Sequence, residues 1–228
     1  MSATDESRGT LSLSGANCWA ESRVIDAELV REAGTPVLVI PTGAAYEGPE
    51  RVVEAASAHF GALGVRVEPA MVLRRSDAED PELAQLVRSA SFLYLCGGSP
   101  LHLRSVLKDS LVLDALVGAW RDGATVAGQG AGTVVISDPM VDPRGGAFTV
   151  GFGLVRNLAA VPSAATPGGT GLRRTISLLP HECALVELAP DGAIVRSSDG
   201  TWRSTGGVSI YVDQAPADLT ALAGKSVW

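Results

Sequence analysis

The sequence is short of reactive side chains. Its 228 residues include three histidines (His59, His102, His181) and three cysteines (Cys18, Cys96, Cys183), so imidazole or thiol chemistry must draw on those six. The cysteines are odd in number and widely spaced, with no C-x-x-C pair, which argues against a disulfide framework or a structural zinc site and for reduced, buried thiols. No His/Asp/Glu cluster has metal-ligand spacing and there is no P-loop, so no metal or cofactor is expected. No apolar run approaches the roughly 20 residues that span a bilayer. The first seven residues are polar and acidic, without the apolar stretch of a signal peptide, so a cytoplasmic protein is expected. Basic clusters stop at the pairs Arg74-Arg75 and Arg173-Arg174, and with a net charge of −7 a nucleic-acid partner is not expected. Sixteen of the eighteen basic residues are Arg, which with abundant Ala, Gly and Val reads as the codon economy of a GC-rich bacterial genome.

What is present is a globular composition, 46% hydrophobic and 19% charged. After a polar tail expected to be disordered over residues 1–10, strand-like and helix-like stretches alternate. Leu11–Ser14 reads as a strand, and the helical spacing of Val24, Ile25, Leu29 and Val30 runs into the stop at Gly34. Val37–Ile40 and Phe92–Leu95 are continuous apolar runs, as expected of strands covered on both faces. Pro49 and Pro81 suit first helical turns. A strand is expected within Val65–Val72, helices over Pro100–Leu107 and Leu111–Arg121, and a strand at Thr125–Ala127. Five such alternations with short Gly-rich joints predict an α/β fold with a doubly wound, mostly parallel sheet. Beyond about residue 140 periodicity weakens. Short strands near 184–188, 194–196 and 208–212 predict a C-terminal β-hairpin region within one domain, residues 11–228. Pro167–Gly171 reads as a loop.

Ligands in open α/β sheets sit beyond the carboxyl ends of the strands. Two glycine-rich strand exits lie there, Gly97-Gly98-Ser99 and Gly128-Gln129-Gly130-Ala131-Gly132-Thr133. The second has the spacing of a nucleophile elbow, in which small flanking residues allow a tight strand-to-helix turn and backbone amides face a developing oxyanion. Its centre, Gly130, has no side chain to attack with. A purely structural tight turn also satisfies this spacing, and the dinucleotide fingerprint matches it only weakly.

From Leu11 to Asp213 the chain resembles the cyanophycinase and aspartyl dipeptidase (dipeptidase E) family of serine peptidases. Five motifs in order carry the resemblance: Gly97-Gly98-Ser99, the elbow 128–133, Gly151-Phe152-Gly153-Leu154, His181-Glu182-Cys183-Ala184-Leu185, and Gly206 to Val212. The resemblance implies a flavodoxin-like, class I glutamine-amidotransferase-like fold and attack on an amide by an elbow Ser activated by His. Here the Ser position holds Gly130 and the His position holds Ser163. Hydrolysis by the family mechanism is therefore not expected.

The pocket is expected to be framed by Gly97, Gly98, Ser99, Gln129, Gly130 and Ala131, with weak catalytic candidates His102, Ser163, His181, Cys183 and Asp138. Read as strand neighbours, His181 and Cys183 share a face and could form a base–nucleophile pair. His59 reads as a helix-face residue, and Asp138 and Asp142 as loop carboxylates. Three readings follow. In the first, a repurposed cleft binds a small-molecule or peptide-like ligand, with any catalysis non-covalent: cyclisation, isomerisation or elimination. The second is a non-catalytic binding or partner subunit, and the third a hydrolase using another nucleophile such as Cys183. A homodimer is compatible with each.

Overall fold

The computed structural model describes residues 8–16, 19, 24–34, 36–163 and 170–225. The first half runs β1 (Leu11–Ser14), α1 (Val24–Ala33), β2 (Val37–Ile40), α2 (Pro49–Ala62), β3 (Val67–Pro69), α3 (Arg75–Ala78), α4 (Pro81–Arg88), β4 (Phe92–Leu95), α5 (Pro100–Leu107), α6 (Leu111–Arg121), β5 (Thr125–Gln129) and α7 (Ala131–Ile136). Strands β1 to β5 are mutually parallel in the order β1-β5-β4-β2-β3, which is the expected doubly wound, mostly parallel sheet.

Local chemistry explains the element boundaries. Prolines open α2, α4 and α5, where a missing amide costs nothing. Asp80, Ser99 and Ser110 cap α4, α5 and α6 by accepting backbone N–H bonds. Gly34, Gly64 and Gly123 close α1, α2 and α6 with positive φ. The two faces of the sheet carry separate cores. Leu38, Ile40, Leu93, Leu95 and Val126 pack with residues of α4 to α7, while Val37, Val39, Phe92 and Tyr94 pack with Ile25, Leu29, Ala56 and Phe60 of α1 and α2.

The second half is more elaborate than a hairpin region. It comprises β6 (Ser137–Asp138), β7 (Met140–Val141), β8 (Phe148–Thr149), β9 (Val155–Arg156), β10 (Leu158–Pro162), α8 (Thr170–Ser177), β11 (Ala184–Leu188), β12 (Ala193–Arg196), β13 (Trp202–Thr205), β14 (Val208–Val212) and β15 (Ala215–Ala217). The β12–β13 hairpin joins the main sheet antiparallel beside β1. Strands β10, β11, β14 and β15 form a second, four-stranded sheet. One face of it, with Leu158, Ala160, Ala184, Val186 and Leu188, joins the same core as Val134, Val135 and Ile136 of α7.

Several expectations need correction. Residues 1–7 of the expected tail lie outside the described residues, but Gly9 and Thr10 are buried, with Gly9 exchanging hydrogen bonds of 2.7 Å with Trp120. Within the expected 167–171 loop, Thr170 and Gly171 begin α8, and Pro167–Gly169 lie outside the described residues. Strand β3 covers only three residues of the Val65–Val72 run. Among the described residues, no helix is long and apolar enough to cross a membrane.

Candidate functional site

Strand β2 is flanked by β3 and β4, so the chain leaves it in one direction and returns on the other. That reversal marks the position beyond the carboxyl ends of β2 and β4 where ligands usually sit in such sheets. Two turns meet there. The 3-10 turn Thr42–Ala44 follows β2, and Gly97-Gly98-Ser99 follows β4. The Ser99 amide donates to the Gly43 carbonyl at 2.8 Å, and a Cβ on Gly98 would stand 2.4 Å from that same oxygen. Only glycine allows the two turns to touch through their backbones. A Cβ on Gly43 would also lie 3.3 Å from the Cβ of Ala131, which places the elbow against this pair of turns.

At the elbow, Gly130 has φ 56° and ψ −110°, a corner that residues with a Cβ rarely adopt. On either side of it, close packing requires glycine. A Cβ on Gly128 would meet the Gly132 carbonyl carbon at 2.6 Å, and one on Gly132 would meet the Leu95 carbonyl oxygen at 2.1 Å. The buried Thr133 hydroxyl lies 2.6 Å from the Ser14 carbonyl and accepts from the Ser14 amide at 2.9 Å, pinning α7 to β1. Gly130 itself is different: among the described residues, the nearest atom to a Cβ there is the Cβ of Ala16, at 3.6 Å, an ordinary contact. The corner has room for a side chain and carries none.

Backbone amides of the two turns adjoin this corner. Among the described residues, the amides of Gly97, Gly98 and Ala131 have no backbone acceptor. Gln129, on the last position of β5, is 2% exposed, and among the described residues its Nε2 has no partner. The Glu47 carboxylate lies against Gly98, where a Cβ would come within 2.9 Å of its Oε2. Ser99 accepts from the His102 amide at 3.2 Å, and His102 Nε2 lies 3.0 Å from the Leu73 carbonyl. A carbonyl only accepts, so Nε2 carries the proton and Nδ1 of the neutral ring holds the lone pair. The exposed Tyr46 ring stands edge-on to His102, with centroids 4.9 Å apart. Tyr46 and Glu47 carry no sequence motif. Only their position, after an unbroken apolar strand, could have drawn attention to them.

The other candidates lie elsewhere. His181, Glu182 and Cys183 form a turn before β11, with Glu182 at φ 63°, so the expected strand alternation does not apply. His181 is 83% exposed and bonds Asp213 through Nδ1 at 2.7 Å, whereas Cys183 is buried. Burial raises the Cys183 thiol to about 11, and a nearby Asp138 carboxylate adds to the effect, so it is no nucleophile at neutral pH. Asp138 accepts from the Gly151 amide at 3.0 Å, and Asp142 is paired with Arg144 and held down to about 2, chiefly by the hydrogen bond from that guanidinium. Ser163 follows β10, its amide donating to the Leu188 carbonyl at 2.6 Å. His59 is not a free helix-face residue: it pairs with the buried Asp26 at 3.0 Å.

The His181–Asp213 pair gives a measurable pH signature. The hydrogen bond and charge of Asp213 raise His181 above 6.5, and His181 lowers Asp213 below 3.8. Any stabilisation from His181 is present below its unfolded value near 6.5 and is lost as pH rises through the folded one. For Asp213 it is present above about 3.9 and lost as pH falls. An NMR titration of His181 should show a midpoint above 6.5 in the native chain, falling to about 6.5 in D213N. An unchanged midpoint in D213N would refute the pairing.

The model of Peptidase family S51 matches residues 9–145, more than half of the chain. Among solved structures, a peptidase from an acI-B1 Actinobacterium superposes with a TM-score of 0.79 at 24% identity, covering 97% of this chain and 98% of that one. A Peptidase E-type protein from Listeria monocytogenes EGD-e superposes with a TM-score of 0.60 at 17% identity, covering 90% and 98% of the two chains. At these identities the structural likeness speaks for the fold. No curated protein matches the chain.

Proposed function

Because the chain belongs to peptidase family S51, we propose that it keeps the family's cleft but not its covalent chemistry. In this reading the cleft binds a small peptide-like ligand through its carbonyl or carboxylate group. The observation that carries the reading is the Gly130 corner, which has an elbow-like positive-φ backbone and, among the described residues, free space where a nucleophile would stand. The amides of Gly98 and Ala131 would donate to the ligand oxygen. A buried, unpaired amide donor costs about 1–3 kcal/mol, which a bound acceptor would recover.

Catalysis in this reading is non-covalent. His102, with Nε2–H held by the Leu73 carbonyl, offers Nδ1 as the proton acceptor, while the cleft amides stabilise negative charge on the ligand oxygen. Without a hydroxyl at 130 and an imidazole at 163, hydrolysis retains only the contribution of binding and oxyanion stabilisation. The buried thiol with its raised pKa weighs against the hydrolase that would use Cys183.

The test is to incubate the purified protein with the dipeptide Asp-Leu and, separately, with a fluorophosphonate serine probe. The expected result is a raised melting temperature with Asp-Leu, no free leucine, and an unchanged intact mass with the probe. Release of leucine, or a probe adduct, would overturn the proposal.

A further inference from the structure

We propose that Glu47 sets the charge preference of the cleft, favouring a peptide-like ligand with a cationic side chain beside the bound carbonyl and disfavouring an anionic one. The inference deepens the reading of the cleft given above and rests on it. The Glu47 amide donates to the Ala44 carbonyl at 2.8 Å, so the residue continues the turn after β2. Its Oε2 would stand 2.9 Å from a Cβ on Gly98. That Cβ and the Gly98 amide nitrogen would share one Cα, so the carboxylate lies within about 5 Å of the N–H assigned to the ligand oxygen.

In a peptide, the side chain of the residue that owns the bound carbonyl starts two bonds from the carbonyl carbon. Its charged end therefore falls on the order of 5–10 Å from the Glu47 carboxylate. A Coulomb interaction over that distance needs no aligned bond, and it survives a Debye length of about 10 Å at 0.1 M salt. A like charge is repelled and an opposite charge attracted wherever the side chain turns.

The arginines of the neighbouring helices are committed elsewhere. Arg75 of α3 donates to the Val106, Lys108 and Asp109 carbonyls and pairs with Glu79 at 2.6 Å, and Arg104 of α5 donates to the Val150 carbonyl. Arg51 of α2 lies along Gly48, its Cδ 3.5 Å from where a Cβ would stand. Among the described residues, the ion pairs do not include Glu47. The chain's net charge of −7 acts in the same direction as Glu47, but its distant members are screened by salt and Glu47 is not.

The probes are Glu-Leu, Gln-Leu and ornithyl-leucine, dipeptides of matched length whose first side chains are negative, neutral and positive. Each is titrated calorimetrically into the full chain in about 0.1 M salt at about pH 8, where an ordinary imidazole is neutral. The expected order is ornithyl-leucine tightest and Glu-Leu weakest, with about threefold per unit of charge and about tenfold across the series. E47Q, a substitution of an exposed residue checked for a native melting transition, should shrink that spread by at least half. Equal binding of the three dipeptides, tighter binding of Glu-Leu, or a spread as wide in E47Q as in the native chain would overturn the inference and leave the cleft reading standing. Binding of none of the three would overturn both. The native series alone can refute the inference, so the test does not depend on E47Q.

Discussion

Gly132→Ala is expected to be among the most damaging single-methyl substitutions in this chain, and far worse than Gly130→Ala two residues away. A Cβ at 132 would stand 2.1 Å from the Leu95 carbonyl oxygen, a backbone atom of the central strand β4 that cannot swing aside. Relief requires α7 to move off the sheet, which breaks the Thr133–Ser14 bonds that tie it to β1. The cost should reach or exceed the roughly 3 kcal/mol at the upper end of ordinary overpacking. At Gly130, among the described residues, nothing but the positive φ opposes a side chain, at about 1–2 kcal/mol. With about 2–4 °C of melting temperature per kcal/mol at this chain length, calorimetry should place G132A at least several degrees below G130A. A G132A protein as stable as G130A would show that α7 does not pack as described.

His59→Ala should produce the second large loss. Asp26 is 1% exposed and held by His59 at 3.0 Å and by the Tyr94 hydroxyl at 3.2 Å. Trp19 stacks on the histidine and Phe60 meets it edge-on. This network ties α1 to α2 and β4 within the core on that face. Removing the imidazole strands a buried carboxylate, a change that typically costs about 3–5 kcal/mol. Adding D26N to H59A removes the stranded charge and should recover part of the loss, the signature of coupled sites. If the double variant is no more stable than H59A, the pair is not what stabilises this region.

The parts of the fold that were legible in the sequence were those fixed by local chemistry. Val37–Ile40 and Phe92–Leu95 read correctly because strands covered on both faces need unbroken apolar runs. Pro49, Pro81 and Pro100 marked helix starts, because proline tolerates so few other positions. The glycine elbow was legible because backbone contact at 128 and 132 excludes every other residue. The second sheet was not, because its strands pair across long separations, and its helix α8 opens on Thr170-Gly171, which locally reads as a loop. His181–Cys183 misled for a related reason. The spacing suits a strand, but the left-handed backbone at Glu182 makes a turn that exposes one residue and buries the other.

The site was legible in its frame but not in its lining. Gly97, Gly98, Gly130 and Ala131 carried a pattern, and the structure places their turns in contact through Gly43. Tyr46 and Glu47 carried none, and reach Gly98 and His102 only because the turn after β2 folds over the end of β4. His59 and Tyr94 are likewise separated by 33 and 68 positions from Asp26, so only tertiary folding brings the three together.

The central claim is that the cleft between Gly98 and Gly130 binds a ligand without bonding to it. The most direct test follows backbone amide resonances of isotopically labelled protein by NMR as Asp-Leu is added, with the dipeptide observed in the same tube. The account predicts saturable shifts centred on the Gly98 and Ala131 amides, with the dipeptide uncleaved. Cleavage of the dipeptide, or saturation without any movement of those two resonances, would contradict it.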